Sequence, residues 1–256
     1  MASLILRLAI IIGISYFALF ILLFLFQKKL VYFPTKASFR DCESFKEYEK
    51  IDYNGTRFYY QANGKNVVVL YHGNAGSACD RYHYKNLLES ANNSVVIVEY
   101  AGYSDDKRKP SMRLILKDVE NVAVFINSRN FRNVTLVGES LGTGPASYHS
   151  TIQKTDKLLL ISPFDSVAGI AQKEYWMFPV RLLLTENYDN IKWLKDFNGS
   201  IKVIHSKSDE ITSISNARNL YSSLKAKDKS FVEIEGVYHN EMLESDQFRK
   251  EVRDFV

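Results

Sequence analysis

The chain has 256 residues, 24% of them charged and 46% hydrophobic, an ordinary globular composition that excludes a mainly disordered protein and allows one sizeable core. A formal net charge of +4 is too mild for a nucleic-acid partner, and no arginine-rich stripe or RNA-binding motif accompanies it. The two cysteines, Cys42 and Cys79, make no disulfide framework, and no Cys/His spacing reads as a metal site. No metal or other cofactor is expected, and both the redox compartment and the pairing of the two cysteines stay open.

The first segment differs from the rest. From Leu8 to Phe26 the chain carries no charge and is almost wholly Leu, Ile, Phe and Ala. That is about 19 residues, close to the roughly 20 needed to cross the hydrocarbon core of a bilayer as a helix. A cleaved signal peptide has a shorter apolar region with a small-residue cleavage site behind it. Here Gln27, Lys28, Lys29, Leu30, Val31, Tyr32, Phe33 and Pro34 follow instead, which predicts an uncleaved single-pass anchor. Residues 1–40 are therefore read as anchor and juxtamembrane segment, and 41–256 as the folded domain. Lys28, Lys29, Lys36 and Arg40 follow the anchor and only Arg7 and the amino terminus precede it, so positive-inside counting favours a cytoplasmic domain.

Beyond the anchor, β-branched and aliphatic runs alternate with amphipathic stretches. Strands are predicted at 67–71, 95–100, 134–137, 157–161, 201–205 and 231–235, with edge strands at 51–53 and 58–61. Helices are predicted at 79–91, 110–128, 141–152 and 214–224, and a charged helix closes the chain. This order, with near-continuous apolar strands, implies a mostly parallel sheet covered by helices on both faces. The stretch 166–199 breaks the alternation. It reads either as helices covering the sheet or as a small helical cap supplying an apolar pocket wall.

Gly138-Glu139-Ser140-Leu141-Gly142 matches G-x-S-x-G, in which a serine on a tight strand-to-helix turn needs glycines where side chains would clash. The predicted strand before it and helix after it supply the required context. A serine hydroxyl is a weak nucleophile without a base in reach. Of the five histidines, His239 alone follows the last predicted strand, so it is the candidate base. An acid must orient the imidazole. Asp209, in the loop after strand 201–205, is the first choice; Asp165 is the fallback and Glu210 a weaker neighbour. Acyl transfer also needs N–H donors for the oxyanion. The backbone N–H groups of Leu141 and of Asn74, in His72-Gly73-Asn74-Ala75-Gly76, are the candidates, with His72 a structural brace.

With these residues the sequence resembles the α/β-hydrolase superfamily, and within it the single-pass, membrane-anchored abhydrolase-domain serine hydrolases. Leu30-Val31-Tyr32-Phe33-Pro34, the His72–Gly76 loop and the Gly138–Gly142 elbow carry the resemblance, which covers nearly the whole chain. It implies an α/β-hydrolase fold with Ser140, Asp209 and His239 as a triad, acting on lipid esters, thioesters or other acyl groups. Two departures stand out. The usual Tyr-Arg-Gly-Tyr-Gly is Tyr100-Ala101-Gly102-Tyr103-Ser104, and the usual His-Gly before the acid is His205-Ser206. The expected partners are an acyl substrate and the membrane. The rival expectations are a catalytically silent interaction module of the same fold and a peptidase or amidase.

Overall fold

The computed structural model describes residues 2–256. It begins with α1 (Ala2–Val31), a helix long and apolar enough to cross a membrane. Its side chains are exposed over most of its length, and Gln27, near its end, is buried. A two-residue strand, β1 (Phe33–Pro34), leads into β2 (Glu49–Tyr53) and β3 (Thr56–Gln61), the antiparallel edge predicted from sequence. Then come β4 (Asn66–Tyr71), β5 (Ala75–Gly76), α2 (Lys85–Leu88), β6 (Asn93–Glu99), α3 (Met112–Asn127) and β7 (Val134–Glu139). The second half runs α4 (Thr143–Ile152), β8 (Lys157–Ile161), α5 (Val167–Glu174), α6 (Val180–Leu183) and α7 (Asn190–Leu194). It ends with β9 (Ser200–Ser206), α8 (Ile214–Ser223), β10 (Lys229–Ile234) and α9 (Asp246–Phe255).

Eight strands form one sheet in the order β10-β9-β8-β7-β4-β6-β3-β2, parallel from β10 to β6. The pleat sends alternate residues to opposite faces, and both faces are buried. Val67, Val69 and Tyr71 of β4 pack with Ile115, Val119 and Leu220 from α3 and α8. Val68 and Leu70 pack the other way, against Leu87, Leu88, Phe248 and Val252 from α2 and α9. The doubly buried sheet explains why the central strands read as unbroken apolar runs.

β4 lies between β6 and β7; the chain passes from β4 to β6 on one side, then crosses back to β7 on the other, and β8, β9 and β10 follow outward from there. A crevice at the carboxyl ends of the strands is expected at such a switch point. The loops after β4 and β7, carrying Asn74 and Ser140, both start there.

Two expectations need adjustment. The helix predicted at 79–91 is a 3-10 turn, Ala78–Tyr84, followed by the single turn α2. Cys79 is pinned to Cys42 by a disulfide, and the Arg81 backbone is non-helical, so a continuous helix is interrupted where its ends are tied elsewhere. The 166–199 stretch, read as either sheet cover or a cap, is not uniform. α7 packs on α4 as sheet cover, whereas α5 and α6 border a cavity whose other wall is α1.

Candidate active site

β7 ends at Glu139, and the chain reverses through a 3-10 turn, Ser140–Gly142, into α4. Ser140 takes a positive φ of 51°, a conformation that costs an L-residue energy and persists only where packing enforces it. The flanking glycines permit the turn. A Cβ on Gly142 would lie 2.0 Å from the Tyr71 carbonyl oxygen, and one on Gly138 2.6 Å from the Thr143 Cα. Gly144, one turn further on, leaves room for the ring of Tyr188. The Thr143 hydroxyl donates to the Ser140 carbonyl at 2.7 Å, and Asn190 Nδ2 donates to Thr143 Oγ1 at 3.1 Å, bracing the turn from α7.

The three side chains selected from sequence meet here. Ser140 Oγ lies 3.0 Å from His239 Nε2, and His239 Nδ1 lies 2.7 Å from Asp209 Oδ2. The serine is 7% exposed and the Asp209 side chain fully buried, so a water-poor environment surrounds the chain of contacts. With the ring proton on Nδ1 donated to the carboxylate, Nε2 accepts from the serine hydroxyl.

Asp209 also accepts from the N–H groups of Ile211 and Thr212 at 3.0 and 2.7 Å, and from the Thr212 hydroxyl at 3.0 Å. Burial alone would raise the Asp209 pKa. The hydrogen bond from His239 and its proximity, with the Thr212 amide, reverse that and hold it below the usual aspartate value. The carboxylate is therefore ionised at neutral pH. The fallback and weaker acids have other work. Asp165 accepts from the Ser166 N–H and from Asn219, and Glu210 accepts the backbone N–H of His239 at 3.1 Å.

The loop after β4 sits beside the elbow. Asn74 makes no hydrogen bond from its backbone N–H to another described residue, while its carbonyl accepts from Phe33 N–H at 3.0 Å and from the Tyr103 hydroxyl at 2.7 Å. His72 is fully buried, stacks on Tyr100 and stands 3.4 Å from the buried Glu99, which fits the bracing role expected of it. His149 and His83 are, respectively, packed and exposed. The Tyr100–Ser104 departure thus keeps both tyrosines as props for this loop, and Ala101 is buried with its N–H on Asp118.

Several supports were invisible to sequence reasoning. Arg81 Nε donates to Glu139 at 2.7 Å and Arg81 Nη2 to the Ala75 carbonyl at 3.0 Å, joining the elbow to the Asn74 loop. Ser206, in place of glycine, donates to the Val237 carbonyl and accepts from the Ser208 N–H, stitching the acid loop to the histidine loop. Thr212 was the one with a local signal, since a hydroxyl residue three positions after an aspartate is a common turn pattern. The Arg81 contact spans 58 residues and had none.

No family model matches the chain. An uncharacterized Mycobacterium tuberculosis protein is 25% identical over 245 residues, covering 90% of this chain and 87% of that protein. Human alpha/beta hydrolase domain-containing protein 17B is 23% identical over 201 residues, 76% of this chain and 67% of its own. Among solved structures, the Butyrivibrio proteoclasticus protein Est1E with bound ferulic acid superposes with a TM-score of 0.65 at 14% identity, over 81% of this chain and 97% of that one. The esterase EaEST of Exiguobacterium antarcticum gives 0.62 at 17% identity, over 80% and 98%. The chain has the α/β-hydrolase fold.

Proposed function

We propose that this α/β-hydrolase-fold chain is a membrane-anchored serine hydrolase that cleaves acyl esters or thioesters through an acyl-enzyme on Ser140. The observation that carries the reading is the continuous contact from Ser140 Oγ through His239 to the buried Asp209 carboxylate, 3.0 and 2.7 Å in its two links. Esterase neighbours in fold and a relative named as an alpha/beta hydrolase are consistent with it.

In this mechanism His239 Nε2 takes the hydroxyl proton as Ser140 Oγ attacks the acyl carbonyl carbon. Asp209 holds the ring and stabilises the imidazolium that forms. The backbone N–H groups of Asn74 and Leu141 receive the developing oxyanion, on rigid loops that need no reorganisation. Collapse of the tetrahedral species expels the alcohol or thiol, which takes the proton from His239. Water, deprotonated by the same ring, then releases the acid and restores Ser140. The apolar α1 holds the domain against a bilayer, where acyl-bearing substrates reside.

A fluorophosphonate probe tests this directly. Folded protein should label at Ser140, located by mass spectrometry of the modified peptide, and Ser140→Ala should abolish labelling. A folded chain that takes up no probe identifies the fold here as a silent interaction module. Asp209→Asn should retain the fold and lower kcat toward a p-nitrophenyl ester on the order of 10⁴-fold, because the ring loses its correct tautomer and its counter-charge.

A further inference from the structure

α1 ends in an unusual relationship with the rest of the molecule. Its last turns form one wall of a cavity of about 190 Å³, and the opposite wall comes from α5, α6 and the loop between them. Phe20, Phe24, Ile170, Ala171, Phe178 and Leu183 are among the lining side chains. The lining is apolar apart from Gln27, Glu174 and Tyr175. Gln27 is already engaged, accepting from the Thr185 N–H at 2.8 Å and donating to the Phe24 carbonyl at 2.9 Å. Glu174 is exposed.

The contacts also fix a depth. Tyr16 donates to the Met177 carbonyl at 2.6 Å and its ring stacks on Phe178 at 4.7 Å, and Phe20 stacks on the same ring at 5.9 Å. Tyr16 precedes Lys28 by a little over three helical turns, about 18 Å at a rise of 1.5 Å per residue. With Lys28 and Lys29 at the headgroup level, the α5–α6 loop reaches roughly halfway into a hydrocarbon core of about 30 Å. Trp176 and Met177 on that loop and Leu182 on α6 are 74, 55 and 82% exposed, large apolar surfaces that suit lipid rather than water. Lys173, Glu174 and Arg181 flank these residues and are exposed, and charges at that depth carry a cost that the apolar surface must offset.

Ser140, His239 and Asn74 do not themselves line the cavity, and the link to them runs through Val31 at its edge. The carbonyl of Val31, a lining residue, accepts from Asn74 Nδ2 at 3.2 Å, and β1 pairs with β5 just beyond Asn74. We propose that this cavity is the acyl-chain site, entered from the bilayer. A membrane-resident ester or thioester would lay its hydrocarbon tail between α1 and α5–α6 and present its carbonyl at Ser140. The inference rests on the hydrolase reading above and adds where the chain binds and from which phase it comes.

The test uses the full chain in lipid nanodiscs and alkyl fluorophosphonates of graded tail length. Ser140 Oγ forms a bond to phosphorus, fluoride leaves, and His239 takes the proton. At a fixed aqueous probe concentration the labelling rate should rise roughly fourfold per added methylene, as the tail leaves water, until the cavity is filled. Ala171→Trp, which occupies the cavity, should lower the dodecyl-to-ethyl rate ratio at least tenfold. As a second readout, a diazirine at the tail end should crosslink to residues 20–31 and 167–184 of the unsubstituted chain. Rates independent of tail length, an unchanged ratio in Ala171→Trp, or crosslinks confined to other segments would overturn the acyl site while leaving Ser140 reactive. Absence of labelling by every tail length, ethyl included, would instead remove the hydrolase reading beneath it.

Discussion

At Gly142 the backbone of the elbow passes so close to the end of β4 that an added methyl group would overlap the Tyr71 and His72 carbonyl oxygens at 2.0 and 2.6 Å. Those atoms belong to the strand that feeds the Asn74 loop, so neither partner can yield cheaply. Gly142→Ala should therefore destabilise the domain by about 3 kcal/mol or more, read as a drop in thermal midpoint, and should slow fluorophosphonate labelling of whatever folds. This requirement was legible in the sequence, because a local motif encodes a local crowding. Two buried groups carry a pH signature that was not. Burial pushes His149 down to about 4, despite its bond to Gln153, and pushes Asp118 up to about 6, despite bonds from Thr56 and the Ala101 N–H. The native state resists protonating His149, so stability falls as pH drops from 6.5 toward 4. It favours protonated Asp118, so stability rises as pH drops from 6 toward 3.8. Each effect is worth about 3 kcal/mol at full extent, and in the intact chain they oppose. His149→Gln should gain stability between about pH 6.5 and 4.5, and Asp118→Asn should lose it; thermal melts at the two pH values distinguish them. Parallel slopes in both variants would refute the assignment. Both positions looked like ordinary helical residues in the sequence, since burial depends on what the helix packs against.

At the scale of elements, periodicity located the central strands and long helices because each buries a face whose spacing repeats. It failed at residues 78–88, where the disulfide at Cys79 and the Arg81–Glu139 ion pair divide what reads as one helix. It also left the 166–199 stretch ambiguous, since part of its apolar surface meets another helix distant in sequence. The joint between α1 and the domain shows the same limit. The Tyr32 hydroxyl donates to Glu186 at 2.6 Å and lies 3.0 Å from the Tyr188 hydroxyl. Glu186 accepts as well from the Met112 N–H at the start of α3, and Tyr188 fills the space left by Gly144. One buried cluster thus joins α1, α3 and α4. A hydrogen bond to a buried carboxylate contributes about 1.5–3 kcal/mol. Tyr32→Phe should lose that much in thermal stability without changing partition into lipid vesicles, which the anchor reading assigns to the apolar residues before it. A variant as stable as the parent would show that the cluster does not tie α1 to the domain.

At the scale of the whole molecule, two features disagree about the side of a membrane on which the proposed anchor would place the domain. Counting Lys28, Lys29, Lys36 and Arg40 against Arg7 points to the cytoplasm. The Cys42–Cys79 disulfide points away from it, since thiols there are held reduced. The charge excess is only a few residues, and Lys28 lies 3.8 Å from the buried Glu186, a position set by the fold as much as by topology. The disulfide is more demanding, because both cysteines of the chain are committed to it and it fastens the segment after β1 to the turn after β5, beside the Asn74 loop. The domain is accordingly expected on the oxidising side. In intact cells expressing the chain, N-ethylmaleimide applied before lysis should block neither cysteine. Reduction should then expose two sites to a polyethylene-glycol maleimide, and external protease should remove the domain once any outer barrier is permeabilised. Blocking of both thiols before reduction, with the domain protected from protease, would return the domain to the cytoplasm and give the lysines the deciding role. The outcome also bears on the proposed substrate, because on the anchor reading α1 and the α5–α6 loop would enter the bilayer from whichever side the domain occupies, and acyl groups of that leaflet would be the ones within reach of Ser140.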